Sequence, residues 1–288
     1  MEMNKGISLV LALVMCLSLC ACGKSEAVKK VEEQISAIGD VSLDSKNDID
    51  SAQQAFDALP EDEKAKVENY FQLVESQTAI KELEELEEQR LIKETYDNIK
   101  ASWYVVNQMG SDLYSIWHGC IFKKDEMSKN GIQFFVDNTS LNEKDVIEGL
   151  ASRNYVNEQY AKTGKKWNDV GEDVKQFYRD ATIELFEKAS KQRLYPDMAD
   201  SLLSIVNAYA LNGMVYNVQQ ALETAKQNMN ELTDDDNYDS LKGFYTTTSN
   251  LLDFCMSPSG SFEQYKTLLN DYRKEARNYM NDLDLIFD

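Results

Sequence analysis

Glycine and proline are scarce in this chain, which has 12 glycines and 3 prolines among 288 residues. A fold of many short strands needs frequent turns, and these two residue types mark most of them. The composition, 43% hydrophobic and 28% charged, is that of a globular chain able to bury one sizeable core and a small second one. We therefore expect an all-α protein made of a few long helices.

Histidine and positive charge are also scarce. His118 is the only histidine, which excludes zinc sites built from several histidines and the metalloprotease helix motif. Lysine and arginine number 30 against 50 acidic residues, and the net charge of −20 opposes binding to nucleic acid and to anionic lipid. Nucleophile motifs and glycine-rich phosphate loops are missing as well. We therefore assign no cofactor, no metal site and no catalytic residue.

The only long apolar run extends from Ile7 to Leu19, after a short segment in which Lys5 is the one basic residue. It is too short to span a bilayer, which takes about 20 residues, and has the length of a signal-peptide core. The run ends in Leu19-Cys20-Ala21-Cys22. This motif resembles the lipobox of Gram-positive-type bacterial lipoproteins, with one departure, since Cys20 stands where a small residue is more usual.

The lipobox resemblance implies where the protein works. Residues 1–21 would be a lipoprotein signal peptide, Cys22 would carry acyl chains such as palmitate, and residues 22–26 would form the lipid-anchored N-terminus. Each buried methylene contributes about 0.8 kcal/mol, so two or more chains hold a protein stably at a membrane. We therefore expect the folded part to lie at the extracytoplasmic face of the cell membrane.

Residues 27–90 predict a small helical module. Apolar residues repeat at helical spacing up to Ile38, Gly39 stops the helix, and Pro60 followed by three acidic residues makes a good first turn. Residues 35–83, with Ala-Ile-Gly, Leu-Asp-Ser and Val-x-Asn-Tyr as punctuation, resemble a three-helix module found in Gram-positive cell-surface proteins. That resemblance implies a spacer or interaction unit without chemistry of its own. The charged run Glu84–Arg90 is expected to be a solvated helical connection.

Residues 91–288 predict an antiparallel bundle of about five or more long helices, because apolar residues repeat in steps of three and four over long stretches. The first seam comprises Ile92, Tyr96, Ile99, Trp103, Val106, Gly110, Leu113 and Trp117. A second stripe, whose mean step is that of one straight helix, comprises Leu203, Val206, Ala210, Met214, Val218, Ala221, Ala225, Met229 and Leu232. The last seam comprises Phe262, Tyr265, Leu269, Tyr272, Ala276, Tyr279, Leu283 and Ile286.

Cysteine leaves two alternatives open. Three of the five cysteines belong to the signal segment, so Cys120 and Cys255 remain in the folded part. In an exported protein they form either a disulfide or a pair of buried thiols. A Cys–His nucleophile pair is disfavoured, because His118 and Cys120 are two residues apart and face different sides of a helix.

Two features suggest binding. The acidic run Asp234–Asp239 begins like a calcium loop, but Ser240 replaces the required glycine and Thr246 the bidentate glutamate, so we interpret it as an inter-helix loop. The segment Gly119–Ser140 is apolar-rich yet lacks a long helical period. We expect an exposed aromatic binding patch there, and core packing is the competing interpretation. The predicted patch comprises Trp117, Phe122, Phe134 and Phe135.

Two functional hypotheses follow. The first is a binding or scaffold protein of the cell envelope whose partner is an envelope protein or a glycan. The alternative is an envelope enzyme that acts on a glycan or peptide through acidic residues in a cleft between helices. Two close carboxylates of raised pKa in a concave pocket would favour the enzyme. Solute receptors fit poorly, because their folds need alternating strands that this chain lacks.

The lipobox generates the first prediction. Replacing Cys22 with Ala removes the thiol that accepts the acyl chains, so the variant should leave the membrane fraction when cells are fractionated. Serine at the same position serves as a second non-acylated control. Membrane retention of both variants at the level of the unmodified protein would place the anchor elsewhere.

Overall fold

The computed structural model describes residues 24–192, 197–233 and 235–287. The predicted signal peptide and Cys22 lie outside these residues. The described part of the chain is all-α and contains no β-strand, as the composition predicts. Within it, no helix combines the length and the apolar character that crossing a membrane requires.

The chain folds as two compact units, which divide after Arg90. Each unit has its own hydrophobic core. The α-helices are, in chain order, α1 (Glu26–Ile38), α2 (Lys46–Asp57), α3 (Glu61–Lys64), α4 (Tyr70–Phe122), α5 (Lys124–Asn130), α6 (Ile132–Asp137), α7 (Glu143–Tyr155), α8 (Ala161–Thr163), α9 (Glu172–Gln192), α10 (Met198–Leu211), α11 (Met214–Met229), α12 (Tyr238–Met256) and α13 (Phe262–Phe287).

The first unit packs α1, α2 and the first part of α4 around one core. The Ser25 side chain caps α1 by accepting the Val28 N–H at 3.2 Å, and Gly39 ends the helix with a φ of 62° that only glycine adopts readily. The Phe56 and Tyr70 rings stack with centroids 4.0 Å apart. The charged run Glu84–Arg90 is helical, as expected, because it lies inside the 53-residue helix α4.

The second unit confirms two of the three predicted apolar stripes. All eight residues of the first seam are buried on α4. On α13 the fully buried members of the last seam are Tyr265, Leu269, Ala276 and Leu283, whereas Ile286, the last residue predicted for it, is 41% exposed. The turn before α13 carries a reciprocal cap, in which the Ser261 side chain accepts the Gln264 N–H and the Gln264 side chain accepts the Ser261 N–H.

The second predicted stripe, Leu203–Leu232, is wrong as a single straight helix. One helix, α10, ends and another, α11, begins within this stripe, because Gly213 between them adopts a left-handed φ of 86°. Ala210 and Met214, which flank the break, are exposed and face away from the core. The apparent period of 3.6 arises because residues of two different helices happen to continue one spacing.

A buried aspartate connects three parts of the second unit. The Asp112 carboxylate on α4 accepts hydrogen bonds from the Ser140 N–H at 2.9 Å, the Ser140 hydroxyl at 2.7 Å and the Tyr209 hydroxyl at 2.7 Å. The Gln108 amide, one turn away, donates to its other oxygen at 2.8 Å. Because a buried charge is tolerated only when it is hydrogen-bonded, these donors fix α4, the loop before α7 and α10 against each other.

Helices α7 and α10 approach at backbone distance. A Cβ atom built on Gly149 of α7 would lie 2.2 Å from the Ser204 carbonyl oxygen of α10. Arg153 and Asp200 pair at 2.7 Å one turn further along the same contact. Gly110 of α4 also lies in close packing, but its Cβ would meet the flexible end of the Leu269 side chain at 2.8 Å.

These two glycines generate the second prediction. Gly149→Ala should lower the free energy of unfolding by about 3 kcal/mol, because a backbone atom cannot give way and the helices must separate. Gly110→Ala is the matched control and should cost less than about 1 kcal/mol, since Leu269 can move and alanine favours the helix. Urea unfolding measures both. Equal losses would contradict the close helix contact.

Candidate functional site

The predicted aromatic patch is wrong for three of its four members. Trp117, Phe134 and Phe135 are 4%, 1% and 0% exposed, and all three belong to the core. Gly131, with a φ of 58°, separates the short helices α5 and α6, and α6 then directs both phenylalanines inward. A helix of six residues is too short to produce a long apolar period, so its buried face does not show in the sequence pattern.

Phe122 is the patch residue that does lie on the surface, with 64% of its area exposed. It continues a face of α4 that carries Tyr114 and His118, and the Phe262 ring of α13 lies beside all three. The His118 and Phe122 ring centroids are 4.9 Å apart. The single histidine therefore packs among aromatic rings near the helix end.

The two cysteines are free thiols, and both are buried. The structure therefore favours the buried-thiol alternative over the disulfide. The Cys255 sulfur lies 3.9 Å from the Val106 carbonyl oxygen and 3.9 Å from the Tyr265 hydroxyl. Burial raises the pKa of the Cys255 thiol to about 12, and burial also raises the pKa of Cys120. Both thiols are therefore held in their unreactive form.

Metal binding finds no support in the described residues, where no group of three His, Cys, Asp or Glu side chains could hold an ion. The acidic loop before α12 is instead closed by local hydrogen bonds, such as that from the Asn237 N–H to the Asp235 side chain at 2.7 Å. Asp234 of that loop lies outside the described residues.

An aromatic cluster forms where α7 ends and α9 begins. After Tyr155 the chain makes a π-helical turn, Val156–Tyr160, an insertion that often marks functional sites. The Tyr155 ring meets Tyr178 at 5.3 Å and Trp167 at 5.7 Å, and all three side chains are buried. No periodic pattern in the sequence joins these three residues, because they lie in separate segments of the chain.

Hydrogen bonds hold this cluster rigid. The Trp167 indole N–H donates to Glu148 at 2.8 Å, and Arg179 pairs with the same carboxylate at 2.5 Å. The Tyr155 hydroxyl donates to the Lys165 carbonyl oxygen at 3.1 Å. Burial raises the pKa of Glu148, but the hydrogen bonds from Arg179 and Trp167 outweigh it and lower the pKa overall. Glu148 is therefore a structural anion and not a proton donor.

An open cavity of about 390 Å³ lies over this cluster, and we call it the aromatic cleft. Its aromatic and aliphatic lining is interrupted by a few polar groups, as in ligand-binding pockets. Phe177, 64% exposed, stands beside Tyr178 with ring centroids 5.4 Å apart. The cleft is lined by Tyr155, Gln159, Thr163, Lys165, Val170, Gly171, Val174, Phe177 and Tyr178.

A second and larger cavity, of about 530 Å³, lies on another part of α9. It combines isoleucine side chains and Phe186 with charged residues, which include Glu143 and Glu187. Helix α9 borders both cavities and buries only Tyr178 and Thr182 among its 21 residues. Most side chains of this helix are therefore accessible to solvent, as those of a recognition surface must be.

No protein family, no curated protein and no solved structure matches this chain.

The buried thiols generate the third prediction. A form of the protein that begins at Lys24 contains only Cys120 and Cys255. Neither should react with a thiol reagent at neutral pH while the protein is folded, whereas both should react in denaturant. Fast reaction of one thiol in the folded protein would show that its helix opens readily. Detection of fewer than two thiols after unfolding would instead support a disulfide between Cys120 and Cys255.

Proposed function

We propose that this protein is a lipid-anchored binding protein at the extracytoplasmic face of the cell envelope, and that its aromatic cleft binds an envelope glycan without covalent chemistry. The lipobox resemblance at Cys22 supports the anchor. In this proposal the first unit is a spacer and the second unit is the binding part. The aromatic cleft is the single observation that carries the binding function.

The chemistry of the cleft favours a sugar over an ionic ligand. Sugar rings have C–H groups on their faces and hydroxyl groups at their edges. The exposed Phe177 ring offers an apolar face, and the Gln159 side chain offers hydrogen bonds beside it. Lys165 is the one charged residue among the lining residues. A neutral or weakly anionic sugar chain satisfies this combination.

The rigidity of the cleft also supports binding. Tyr155 and Tyr178 are held by the Lys165 carbonyl and by Glu158, the latter at 3.0 Å from the Tyr178 hydroxyl. A pocket that is formed before its ligand arrives loses less side-chain freedom on binding. The cleft therefore meets the ligand with its aromatic floor already in place.

An envelope enzyme remains the alternative function. Two carboxylates are needed for glycoside hydrolysis, one of them with a raised pKa. Two carboxylates contact the aromatic cluster: Glu148 has a lowered pKa and is paired with Arg179, and Glu158 accepts the hydrogen bond of Tyr178. The larger cavity contains Glu143 and Glu187, and these two are the pair that an enzymatic function would use.

The cleft generates the fourth prediction. Phe177→Ser should weaken binding to purified Gram-positive cell-wall glycan about tenfold, because a ring contact is worth roughly 1 kcal/mol or more. Phe71→Ser is the matched control, since Phe71 of the first unit is 59% exposed and far from the cleft in sequence. The thermal midpoint should stay nearly unchanged in both variants.

Three results of the same assay would contradict the proposal. Unchanged binding by Phe177→Ser would remove the cleft as the site. Binding to an envelope protein in place of glycan would make the ligand class wrong. Release of soluble sugar from the glycan, abolished by Glu143→Gln with Glu187→Gln, would establish the enzyme instead.

A further inference from the structure

Arg273 of α13 is a partly buried cation that has no carboxylate partner among the residues the structure describes. Its guanidinium donates from Nε to the Asn107 side-chain oxygen at 2.7 Å and from Nη2 to the Ser111 hydroxyl at 2.6 Å. Both partners are neutral residues of α4. Although the chain has 50 acidic residues, Arg273 forms no ion pair within the described residues.

This arrangement leaves the charge of Arg273 uncompensated. Burial lowers the pKa of the guanidinium, which shows that its surroundings penalise the positive charge. Asn107 and Ser111 orient the guanidinium but do not neutralise it. The two N–H groups on Nη1 have no acceptor in the described part of the chain. A planar guanidinium with free N–H groups is suited to bind an oxyanion.

A small cavity of about 180 Å³ lies at this point. Leu269 and the Tyr114 ring give it an apolar part, whereas Lys266, Asn270 and Arg273 supply hydrogen-bond donors. The one carboxylate paired with Lys266 is Glu263, an exposed neighbour on the same helix at 3.9 Å. Two cations therefore line one cavity in a strongly acidic protein, and none of its lining residues is acidic.

We propose that this cavity binds the oxyanion group, carboxylate or phosphate, of a small ligand. Arg273 is the main binding residue, oriented by Asn107 and Ser111, and Lys266 supplies the second positive charge. Asn270 donates a hydrogen bond, and the volume limits the ligand to a small group. The inference is independent of the aromatic cleft, which is built from other helices.

The experiment measures the thermal midpoint of the purified protein during titration with inorganic phosphate or with acetate, at constant ionic strength set with chloride. A ligand that binds only the folded state raises the midpoint in a saturable way. We expect this rise for at least one of the two anions. The anion that acts identifies the ligand group as phosphate or carboxylate.

Three variants test the residues. Lys266→Gln should weaken the apparent anion affinity about tenfold and leave the fold intact, because Lys266 is exposed. Arg273→Gln should abolish the saturable rise. Arg277→Gln is the matched control, since Arg277 lies one turn further along α13, is exposed and should leave the titration unchanged.

Two results would overturn the proposal. The first is the absence of a saturable rise with either anion in the unmodified protein, which would make Arg273 a link between α4 and α13 only. The second has two parts: Lys266→Gln shows the same rise in the thermal midpoint as the unmodified protein, and Arg277→Gln loses that rise as fully as Arg273→Gln does. This result would show general screening of the net charge. Calorimetric titration of the Lys266→Gln protein decides the matter if Arg273→Gln does not fold.

Discussion

The close contact between α7 and α10 is the constraint on which the second unit depends. Gly149 lets the two backbones touch at Ser204, so a side chain at that position would force the helices apart. Helix α10 then places Tyr209 on Asp112 of α4, which binds the pair to the longest helix. Helix α7 carries Tyr155, which packs on Tyr178, and Glu148, which accepts the Trp167 hydrogen bond, so the geometry of the aromatic cleft depends on this contact.

Helix α9 buries few side chains and leaves an aromatic ring on the surface. It is fastened to α7 by buried Tyr178 and Thr182 and by the hydrogen bond from Asn154 to Thr182 at 2.8 Å. Leaving Phe177 exposed forgoes about 2 kcal/mol of burial energy. The rest of the unit therefore supplies stability, and α9 is free to present an apolar face.

Sequence patterns predict helices well where one helix packs along one seam. The seams of α4 and α13 persist for many turns, so their periods average out local exceptions. Prediction fails where tertiary structure decides. Gly213 breaks a stripe that looks continuous, and Gly131 folds Phe134 into the core. The cleft and the cavity at Arg273 are lined by residues from separate segments of the chain, and a local sequence pattern does not predict which segments meet.

The distribution of charge distinguishes the two proposed binding sites. A net charge of −20 makes the surroundings of the protein repel anions, so an anion binds only where local cations outweigh that field. Arg273 and Lys266 supply such a place at close range, where screening by salt is weakest. The aromatic cleft, with Lys165 as its one charged lining residue, depends on ring contacts and hydrogen bonds, which the net charge hardly affects. Binding at the cleft should therefore depend on salt much less than binding at Arg273, and this difference follows from the residues that line each cavity.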